Sequence, residues 1–388
     1  MAAAHRAQHV VFLLLLLALA LSACSPGRAL EAKRLLEDVA AGDGPSTLKA
    51  ETPAPTRITI RFGSGGRQHD GDLYRPADGA LAALVLVPGV TPDGKDDRRL
   101  VALARSLARV RFAVLVPEIP NLRALQVRPG DMRPIADALE AITGTGRLAP
   151  ESETYRAAGV VAISYAVGPA LLAALDPAAQ NRLGFLLLVG GYRDMTALVT
   201  FFTTGFYRAA PGEAWIVGRP APYAKWAFAK ANAGLLTEER DRVLLTAMAE
   251  RKRADPEADL GDLAERLGPE GRSVYALLTN REPERVPALI EALPPAIIDD
   301  LVGLDLASRD LSALDVNVIL VHGRDDPVIP FTESQGLAAA IGAERAALHI
   351  VDNLAHVELG PGGVGDALSL WQAAYDLLAL RDRLATQE

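Results

Sequence analysis

Short runs of consecutive apolar residues alternate with amphipathic stretches along most of this chain. Such runs are typical of strands buried on both faces, whereas the stretches between them repeat their apolar positions with the period of a helix. After an initial hairpin that begins near residue 57, the pattern predicts an α/β fold, a mostly parallel central sheet with helices on both faces. The predicted strands are RITIRF, DGDLYRP, ALVLVP, FAVLVPEIP, GVVAIS, GFLLLVGGY, VNVILVHG and AALHIV.

The alternation is interrupted once, and this interruption predicts an insertion. The interrupted segment is rich in helix formers and charged residues and contains no convincing strand. We therefore predict a helical cap, residues 195–310, inserted into a core formed by residues 57–194 and 311–388. Aromatic residues are concentrated in the first part of the cap, where they form either its own small core or the wall of a pocket for an apolar substrate group. The candidate pocket residues are Phe201, Phe202, Phe206 and Trp226.

One predicted strand runs directly into a serine and then into an Ala/Leu-rich helix. A serine at such a corner needs small residues two positions away on each side, because the strand and helix backbones nearly touch. Ala162 and Ala166 occupy these positions, so Ser164 is a candidate nucleophile. The alternative is that Ser164 only caps the helix, since serine is a favoured N-cap residue.

Two later segments complete a pattern that belongs to a known family. The strand VNVILV is followed by HGRDDPVIP, residues 322–330, which has the form HGxxDxxxP. The last predicted strand is followed by the loop DNLAHVELGPGG, which contains His356. With Ser164, these segments make the chain resemble the α/β-hydrolases over nearly all of residues 57–388.

The resemblance implies an α/β-hydrolase fold and a catalytic triad in the chain order Ser, Asp, His. By this register Ser164 is the nucleophile, Asp326 the acid and His356 the general base. Asp325, the neighbour in the same loop, and Asp194, after the sixth strand, are alternative acids. The residue types suit the chemistry, because a serine hydroxyl attacks only when a base takes its proton and a carboxylate orients that base.

The resemblance also implies two backbone donors for the oxyanion, the amides of Tyr165 and Val90. The loop that contains Val90 has a second possible interpretation. Residues 89–95, GVTPDGK, follow a strand and copy most of a phosphate-binding loop. The next residue is Asp96 rather than a serine or threonine, and a carboxylate there would repel phosphate, so the sequence argues against nucleotide binding.

These features predict a serine hydrolase that acts on a small-molecule ester or related acyl compound. Two alternatives remain open: an inactive binding protein that keeps the fold, and an acyltransferase that uses the same triad. A net charge of -8 without a basic cluster argues against nucleic acid as a partner. The sequence has no metal-ligand spacing and no dinucleotide motif, so we expect no metal and no cofactor.

The N-terminus predicts a location at the cell envelope. Residues 1–23 have a basic start and a short apolar run, which is typical of a secretory signal. The sequence Leu-Ser-Ala-Cys that ends at Cys24 resembles the lipobox of bacterial lipoproteins, which implies lipidation of this cysteine. Ser25 in the next position implies the outer membrane, with the body facing the periplasm. Residues 24–56 would then be the lipidated anchor and a tether that lets the body stand off the membrane.

Overall fold

The central element of the fold is an eight-stranded sheet. The computed structural model describes residues 25–144, 155–352, 354–355, 358–359 and 363–386. In chain order the strands are β1 (Thr56–Phe62), β2 (His69–Arg75), β3 (Ala82–Val87), β4 (Phe112–Pro117), β5 (Ala158–Ile163), β6 (Leu183–Val189), β7 (Asn317–Gly323) and β8 (Ala346–Val351). Across the sheet they are ordered β1-β2-β4-β3-β5-β6-β7-β8. All neighbouring strands in this sheet are parallel except in the two pairs that β2 forms with β1 and β4, so the predicted mostly parallel sheet is confirmed.

Helices connect the strands, as the alternation predicted. In chain order the helices are α1 (Pro26–Ala41), α2 (Thr47–Glu51), α3 (Arg98–Arg109), α4 (Pro120–Arg123), α5 (Met132–Thr143), α6 (Val167–Ala174), α7 (Pro177–Gln180), α8 (Met195–Thr204), α9 (Ala224–Asn232), α10 (Glu239–Ala254), α11 (Gly261–Ala264), α12 (Pro269–Thr279), α13 (Val286–Glu291), α14 (Pro295–Leu304), α15 (Phe331–Ile341) and α16 (Val364–Ala385). Two short hairpins are also present, Phe206–Tyr207 with Ile216–Val217 and Leu354–Ala355 with Glu358–Leu359. Short 3-10 turns occur as well, among them Ser164–Ala166 directly after β5.

The sheet is covered on both faces, and β3 shows this directly. All six of its residues are buried, and successive side chains point to opposite faces of the sheet. Val85 belongs to a core cluster that includes residues of α5 and α6. Leu84 and Leu86 belong to a second cluster that includes residues of α1, α3 and α16. A strand buried on both faces explains why its sequence reads as a continuous apolar run.

Between β6 and β7 the chain forms the helices α8 to α14. Residues from several of these helices share a third core cluster, which contains Trp226, Leu245, Met248 and Leu277. This part of the chain therefore has a core of its own as well as contacts with the sheet domain. The helices lie within residues 195–310, the segment that the sequence analysis predicted as a cap.

The segment before β1 packs against the body instead of forming a free tether. Ala32, Leu35 and Leu48 are buried in the second core cluster. The carboxylate of Asp38 is also buried; it lies 2.7 Å from Lys49 Nζ and accepts a hydrogen bond of 2.6 Å from Ser106 Oγ in α3. These contacts correct the expectation of a flexible spacer. The physical reason is that the apolar positions of α1 and α2 cover apolar surface on α3 and α16.

Cys24 and the predicted signal sequence before it lie outside the described residues. The first described residue, Ser25, is already held in place, because its amide donates to Tyr375 Oη in α16 at 3.0 Å. Arg28 strengthens this attachment through an ion pair with Asp382, 2.8 Å between Nη2 and Oδ2. None of the helices that the structure describes combines the length and the apolar character needed to cross a membrane.

Candidate active site

Ser164 stands at the corner between β5 and a helical turn that leads into α6. Its φ is 60°, one of three positive values among the non-glycine residues that the structure describes. Only glycine enters this left-handed region at little cost, so the backbone at Ser164 is strained. An N-cap residue has extended backbone angles instead, which means that Ser164 does not have the conformation of a helix cap. The residue is 6% exposed.

The small residues on either side of Ser164 lie in a tightly packed part of the core. Ala162 and Ala166 are both fully buried. The tightest approach, however, is at Gly168 in the first turn of α6. A Cβ atom there would lie 1.9 Å from Tyr192 Oη, so any larger residue would displace the Tyr192 ring. The glycine was not singled out in the sequence, because the partner that demands it comes from the loop after β6.

The two predicted oxyanion donors lie next to Ser164, Tyr165 in the helical turn that begins at the serine and Val90 in the loop after β3. Tyr165 follows the serine in the first turn of the helical segment. Backbone amides there have no intrahelical acceptor, and the positive end of the helix dipole lies at this terminus. The other donor, Val90, follows β3, which pairs with β5 so that Val87 is opposite Ala162. A Cβ atom at Gly89 would lie 3.8 Å from the carbonyl oxygen of Ile163. The β3 loop therefore runs directly beside the corner.

Asp326 occupies the loop after β7, and its side chain is fully buried. Its Oδ1 accepts hydrogen bonds from the amides of Val328 at 2.7 Å and Ile329 at 3.0 Å, which hold the carboxylate in one orientation. Asp325 is exposed. Because β5 and β7 are parallel and separated only by β6, Ser164 and Asp326 lie on the same edge of the sheet, with their strands roughly 10 Å apart.

A buried histidine supports the loop that carries Asp326. His322 Nε2 lies 2.9 Å from the carbonyl oxygen of Ile329 and 3.5 Å from Asp326 Oδ2. Its Nδ1 lies 2.6 Å from Ser334 Oγ in α15. A carbonyl oxygen can only accept, so Nε2 carries a proton, and Nδ1 can accept from the serine hydroxyl. The sequence motif placed His322 in the turn after the strand, whereas the structure places it near the end of β7, where it supports the loop that follows.

The alternative acid Asp194 caps α8. Its carboxylate accepts from the amide of Ala197 at 2.9 Å, in the manner of an N-cap residue. The amides of Asp194 and Arg193 donate at 2.7 and 2.8 Å to Glu333, a buried carboxylate of α15. Burial raises the pKa of Glu333 to about 7, although these two amide hydrogen bonds lower it. Glu333 joins the loops after β6 and β7, and the sequence pattern offered no sign of this contact.

His356 lies outside the described residues, but the hairpin around it is described in part. Leu354 pairs with Leu359 in antiparallel register. The carbonyl oxygen of Leu354 would lie 1.7 Å from a Cβ atom placed on Gly323, the last residue of β7. Glycine is therefore required where this hairpin meets the strand that leads to Asp326.

An apolar cavity of about 190 Å³ lies between the cap and the core. Tyr165 and Tyr192 line it from the core, whereas Phe202 and Phe228 line it from the cap. The ring of Phe228 is 5.0 Å from that of Tyr165 and 5.5 Å from that of Phe202. Burial raises the pKa of Tyr165, and the negative charge of Asp326 raises it further. The cavity is thus next to the residue that follows Ser164.

The four aromatic residues predicted for the pocket have different surroundings. Phe202 lines the cavity. Phe201 is buried against Tyr207, with ring centroids 5.8 Å apart, and does not line it. Trp226 lies in the core of the cap, and Phe206 is half-buried in the short hairpin. Phe228, which lies in the aromatic-rich first part of the cap but was not among the predicted pocket residues, contacts Tyr165.

The loop that resembles a phosphate-binding loop does not have its lysine free for phosphate. Lys95 Nζ donates at 2.8 Å to Asp72 Oδ2, a buried carboxylate that also accepts from Arg57. The expectation that this loop does not bind nucleotides agrees with these contacts. Within the described parts of the chain, no group of histidine, cysteine and acidic residues has an arrangement that could hold a metal ion.

No family model and no curated protein matches the chain. Among solved structures, a Legionella pneumophila protein described as a candidate hydrolase superposes with a TM-score of 0.52 over 86% of this chain and 91% of its own, at 9% identity. The chain has the α/β-hydrolase fold. The fold predicted from the sequence is confirmed. At this level of identity, however, the likeness concerns the fold alone and says nothing about the reaction.

Two further solved structures match with lower TM-scores. The esterase from Pyrobaculum calidifontis is 12% identical, with a TM-score of 0.46 over 92% of this chain and 89% of its own. The 2-hydroxy-6-oxo-6-phenylhexa-2,4-dienoate hydrolase from Rhodococcus sp. strain RHA1 is 18% identical, with a TM-score of 0.42 over 85% of this chain and 99% of its own.

Proposed function

We propose that this protein is a serine hydrolase that cleaves a carboxylic ester or related acyl bond through an acyl-enzyme. The observation that carries the proposal is the backbone of Ser164, with a φ of 60° at a buried strand-to-helix corner. A non-glycine residue in this region costs about 1 to 3 kcal/mol, and such strain is concentrated at functional sites. In the proposed site the strained corner would hold the Ser164 hydroxyl in position to attack. The turn that contains Tyr165 and the loop that contains Asp326 lie on the same edge of the sheet.

In the proposed mechanism, Ser164 Oγ attacks the carbonyl carbon of the substrate while His356 takes its proton. Asp326 orients the imidazole and stabilises the imidazolium. The carbonyl oxygen becomes an oxyanion, which the amides of Tyr165 and Val90 stabilise by about 3 to 4 kcal/mol each. The bond to the leaving alcohol then breaks, and His356 returns its proton to that alcohol. Water attacks the acyl-serine in the same way, and the carboxylic acid leaves.

The cavity between cap and core suggests which part of the substrate is bound there. Its walls are mainly aliphatic and aromatic side chains, and it borders Tyr165, whose amide is one of the proposed oxyanion donors. We therefore infer that the cavity holds the acyl group of the substrate. An engineered apolar cavity of about 150 Å³ binds benzene. A volume of about 190 Å³ is thus suited to an acyl chain of short to medium length.

Labelling with a fluorophosphonate probe tests the proposal. We expect the wild-type protein to be labelled on Ser164, as shown by peptide mass spectrometry, and the variant S164A to be unlabelled. The matched control is S308A, because Ser308 is exposed and lies outside the site; it should be labelled like wild type. Labelling that survives in S164A would overturn the mechanism. If the wild-type protein is not labelled at all, the result favours an inactive binding protein over a serine hydrolase. Analysis of the products formed in the presence of an added alcohol separates hydrolysis from acyl transfer.

We also propose that Cys24 is lipidated and that the protein is anchored at the outer membrane, facing the periplasm. The lipobox-like sequence supports this proposal. Because Ser25 is held against Tyr375, a lipid on the preceding residue would leave the body close to the membrane surface rather than on a long tether. Membrane fractions should contain the wild-type protein with attached lipid, and C24A should not be lipidated. Wild-type protein without lipid by mass spectrometry would contradict the proposal.

A further inference from the structure

One cation lies in the lining of the apolar cavity without an anionic partner among the described residues. Lys225, in α9, contributes to the wall. Its ammonium donates to the carbonyl oxygen of Thr203 at 3.1 Å, and no described carboxylate lies within ion-pair distance of it. Buried or partly buried ammonium groups are normally paired, because the loss of hydration is costly.

The other charged side chains of the lining compensate each other. Arg128 Nη1 lies 3.2 Å from Asp300 Oδ2 and also donates to Asn232 Oδ1 at 2.6 Å. Asp300 Oδ2 makes no aligned hydrogen bond, but the ion pair still balances the charges of Arg128 and Asp300. The described lining therefore carries one uncompensated positive charge, on Lys225. Tyr165 and Tyr192 do not supply an anion, because burial raises the pKa of both hydroxyls.

The surroundings of Lys225 favour the binding of an anion. Burial first, and then the positive charges of Arg281 and Lys252, together lower the pKa of Lys225 to about 8. All the causes of this shift thus disfavour the charged form of this side chain. A negatively charged ligand group would offset both the burial and the repulsion.

The position of Lys225 relates it to the reaction centre. It lies one helical turn before Phe228, on the same side of α9, and the Phe228 ring is 5.0 Å from Tyr165. Residues three apart on a helix are neighbours on its surface, so Lys225 lies in the cavity wall beside the ring that contacts the residue after Ser164. An acyl chain that begins at the serine and fills the cavity would extend towards Lys225.

We propose that the cavity binds acyl groups whose far end carries a carboxylate, and that Lys225 pairs with this carboxylate. The substrate class would be the half-esters of aliphatic dicarboxylic acids. This inference rests on the proposed function. A carboxylate suits the site better than a phosphate, because a phosphate presents three strong acceptor oxygens and the lining offers a single unpaired cation. The apolar walls would contact the methylene groups between the two ends.

A matched series of substrates tests the proposal. p-Nitrophenyl half-esters of succinic, adipic and suberic acid differ from the butyrate, hexanoate and octanoate esters mainly in the terminal carboxylate. We expect wild type to prefer the half-ester by about tenfold in kcat/KM at the best chain length, the effect of one charged hydrogen bond. In K225M this preference should be lost. The control is K230M, since Lys230 lies on the same helix but is exposed and paired with Glu250; it should keep the preference.

The structural alternative is that Lys225 only caps the C-terminal end of α8 through the Thr203 carbonyl. This role predicts a lower melting temperature for K225M and an equal loss for both substrate series, a result that would overturn the proposal. Equal kcat/KM for the two series in wild type would also overturn it, while leaving the serine hydrolase intact.

A binding measurement separates this inference from the proposed reaction. Titration calorimetry of S164A with monomethyl suberate and with methyl octanoate requires no turnover. Tighter binding of the suberate by about tenfold, lost in the double variant S164A/K225M, would support the subsite even if the protein proved inactive. Equal binding of the two ligands would refute the subsite, whatever the catalytic result.

Discussion

The ring of Phe228 lies 5.0 Å from the ring of Tyr165, with the two planes at 60°. Phe228 belongs to the cap, whereas Tyr165 directly follows Ser164 in the core. The contact therefore joins the wall of the apolar cavity to the backbone that presents the candidate nucleophile. A change in the cap at this point should affect substrate selection before it affects the chemistry of the serine.

This contact leads to a prediction about chain-length preference. Each methylene group removed from water contributes about 0.8 kcal/mol, about a fourfold gain per carbon, until the cavity is full. Activity on p-nitrophenyl esters should therefore rise from acetate to a medium chain and then fall. F228A and F202A should flatten this profile, because both rings line the cavity.

The matched control for these variants is F201A. Phe201 is 2% exposed and packs against Tyr207 outside the cavity. We expect F201A to lose about 3 to 5 kcal/mol of unfolding free energy, while the shape of its chain-length profile stays the same. A flattened profile in F201A, or an unchanged one in F228A, would show that the acyl chain is bound elsewhere.

A second prediction concerns the choice of acid. D326N should lower kcat/KM by roughly three to four orders of magnitude, because the amide no longer fixes the base in its productive form. D325N should have little effect, since Asp325 is exposed. D194N should mainly cost stability, within about 1 kcal/mol, as expected for an altered helix cap. Steady-state kinetics and urea unfolding of the three variants decide between the acids. A large loss of kcat/KM in D325N would show that Asp325, rather than Asp326, orients the base.

A third prediction uses the buried carboxylate of Glu333. Its pKa is raised from 4.5 to about 7 in the folded protein, so the folded state binds this proton more tightly than the unfolded chain does. The contribution of Glu333 to stability is therefore present at low pH and is lost as the pH rises towards 7 and above. Its size is at most about 3 kcal/mol.

The variant E333Q should be less sensitive to pH in this range. Glutamine cannot ionise, yet its carbonyl oxygen can still accept from the amides of Arg193 and Asp194. We expect the difference in unfolding free energy between pH 5 and pH 8 to be smaller in E333Q than in wild type, as measured by urea unfolding. E344Q is the control, because Glu344 is exposed and should leave the difference unchanged. An identical pH dependence in E333Q and wild type would refute the assignment.

A fourth prediction concerns the segment before β1. If residues 25–51 were a tether, a protein that starts at residue 53 would be as stable as one that starts at residue 25. Because Ala32, Leu35 and Leu48 are buried, we expect the shorter protein to melt at a clearly lower temperature or to aggregate.

A point variant tests the same packing if the shorter protein does not fold. D38N should cost about 1 to 3 kcal/mol, since it weakens the buried contacts of Asp38 with Lys49 and Ser106. Burial alone would raise the pKa of Asp38, but these hydrogen bonds outweigh burial and lower it. E37Q is the exposed control on the same helix and should stay within about 0.5 kcal/mol of wild type.

The sequence alone determined those features that depend on neighbouring residues. Apolar runs predicted the strands of the parallel sheet, because strands buried on both faces have no polar side to interrupt the run. The change of pattern after β6 predicted the helical insertion. The serine between a strand and a helix, with alanines on both sides, pointed to Ser164, since the steric demand of a tight corner is local.

Tertiary structure decided the features in which distant segments meet. Phe201 and Phe202 are adjacent, yet they point in directions about 100° apart around α8, so the rotation of the helix against the core decides which ring lines the cavity. Composition could not distinguish them. The same holds for Lys225, an ordinary lysine in the sequence, because only the folded chain shows that no carboxylate among the described residues pairs with it in the cavity wall.

Gly168 and the segment before β1 illustrate the same physical reason. The glycine is needed because the hydroxyl of Tyr192 occupies the space of a side chain, and that tyrosine enters from another loop. The segment that looked like a tether by its glycines and prolines packs because α3 and α16 offer an apolar surface for it. A periodic pattern shows which face of an element is apolar, but only the folded chain determines which surface that face meets.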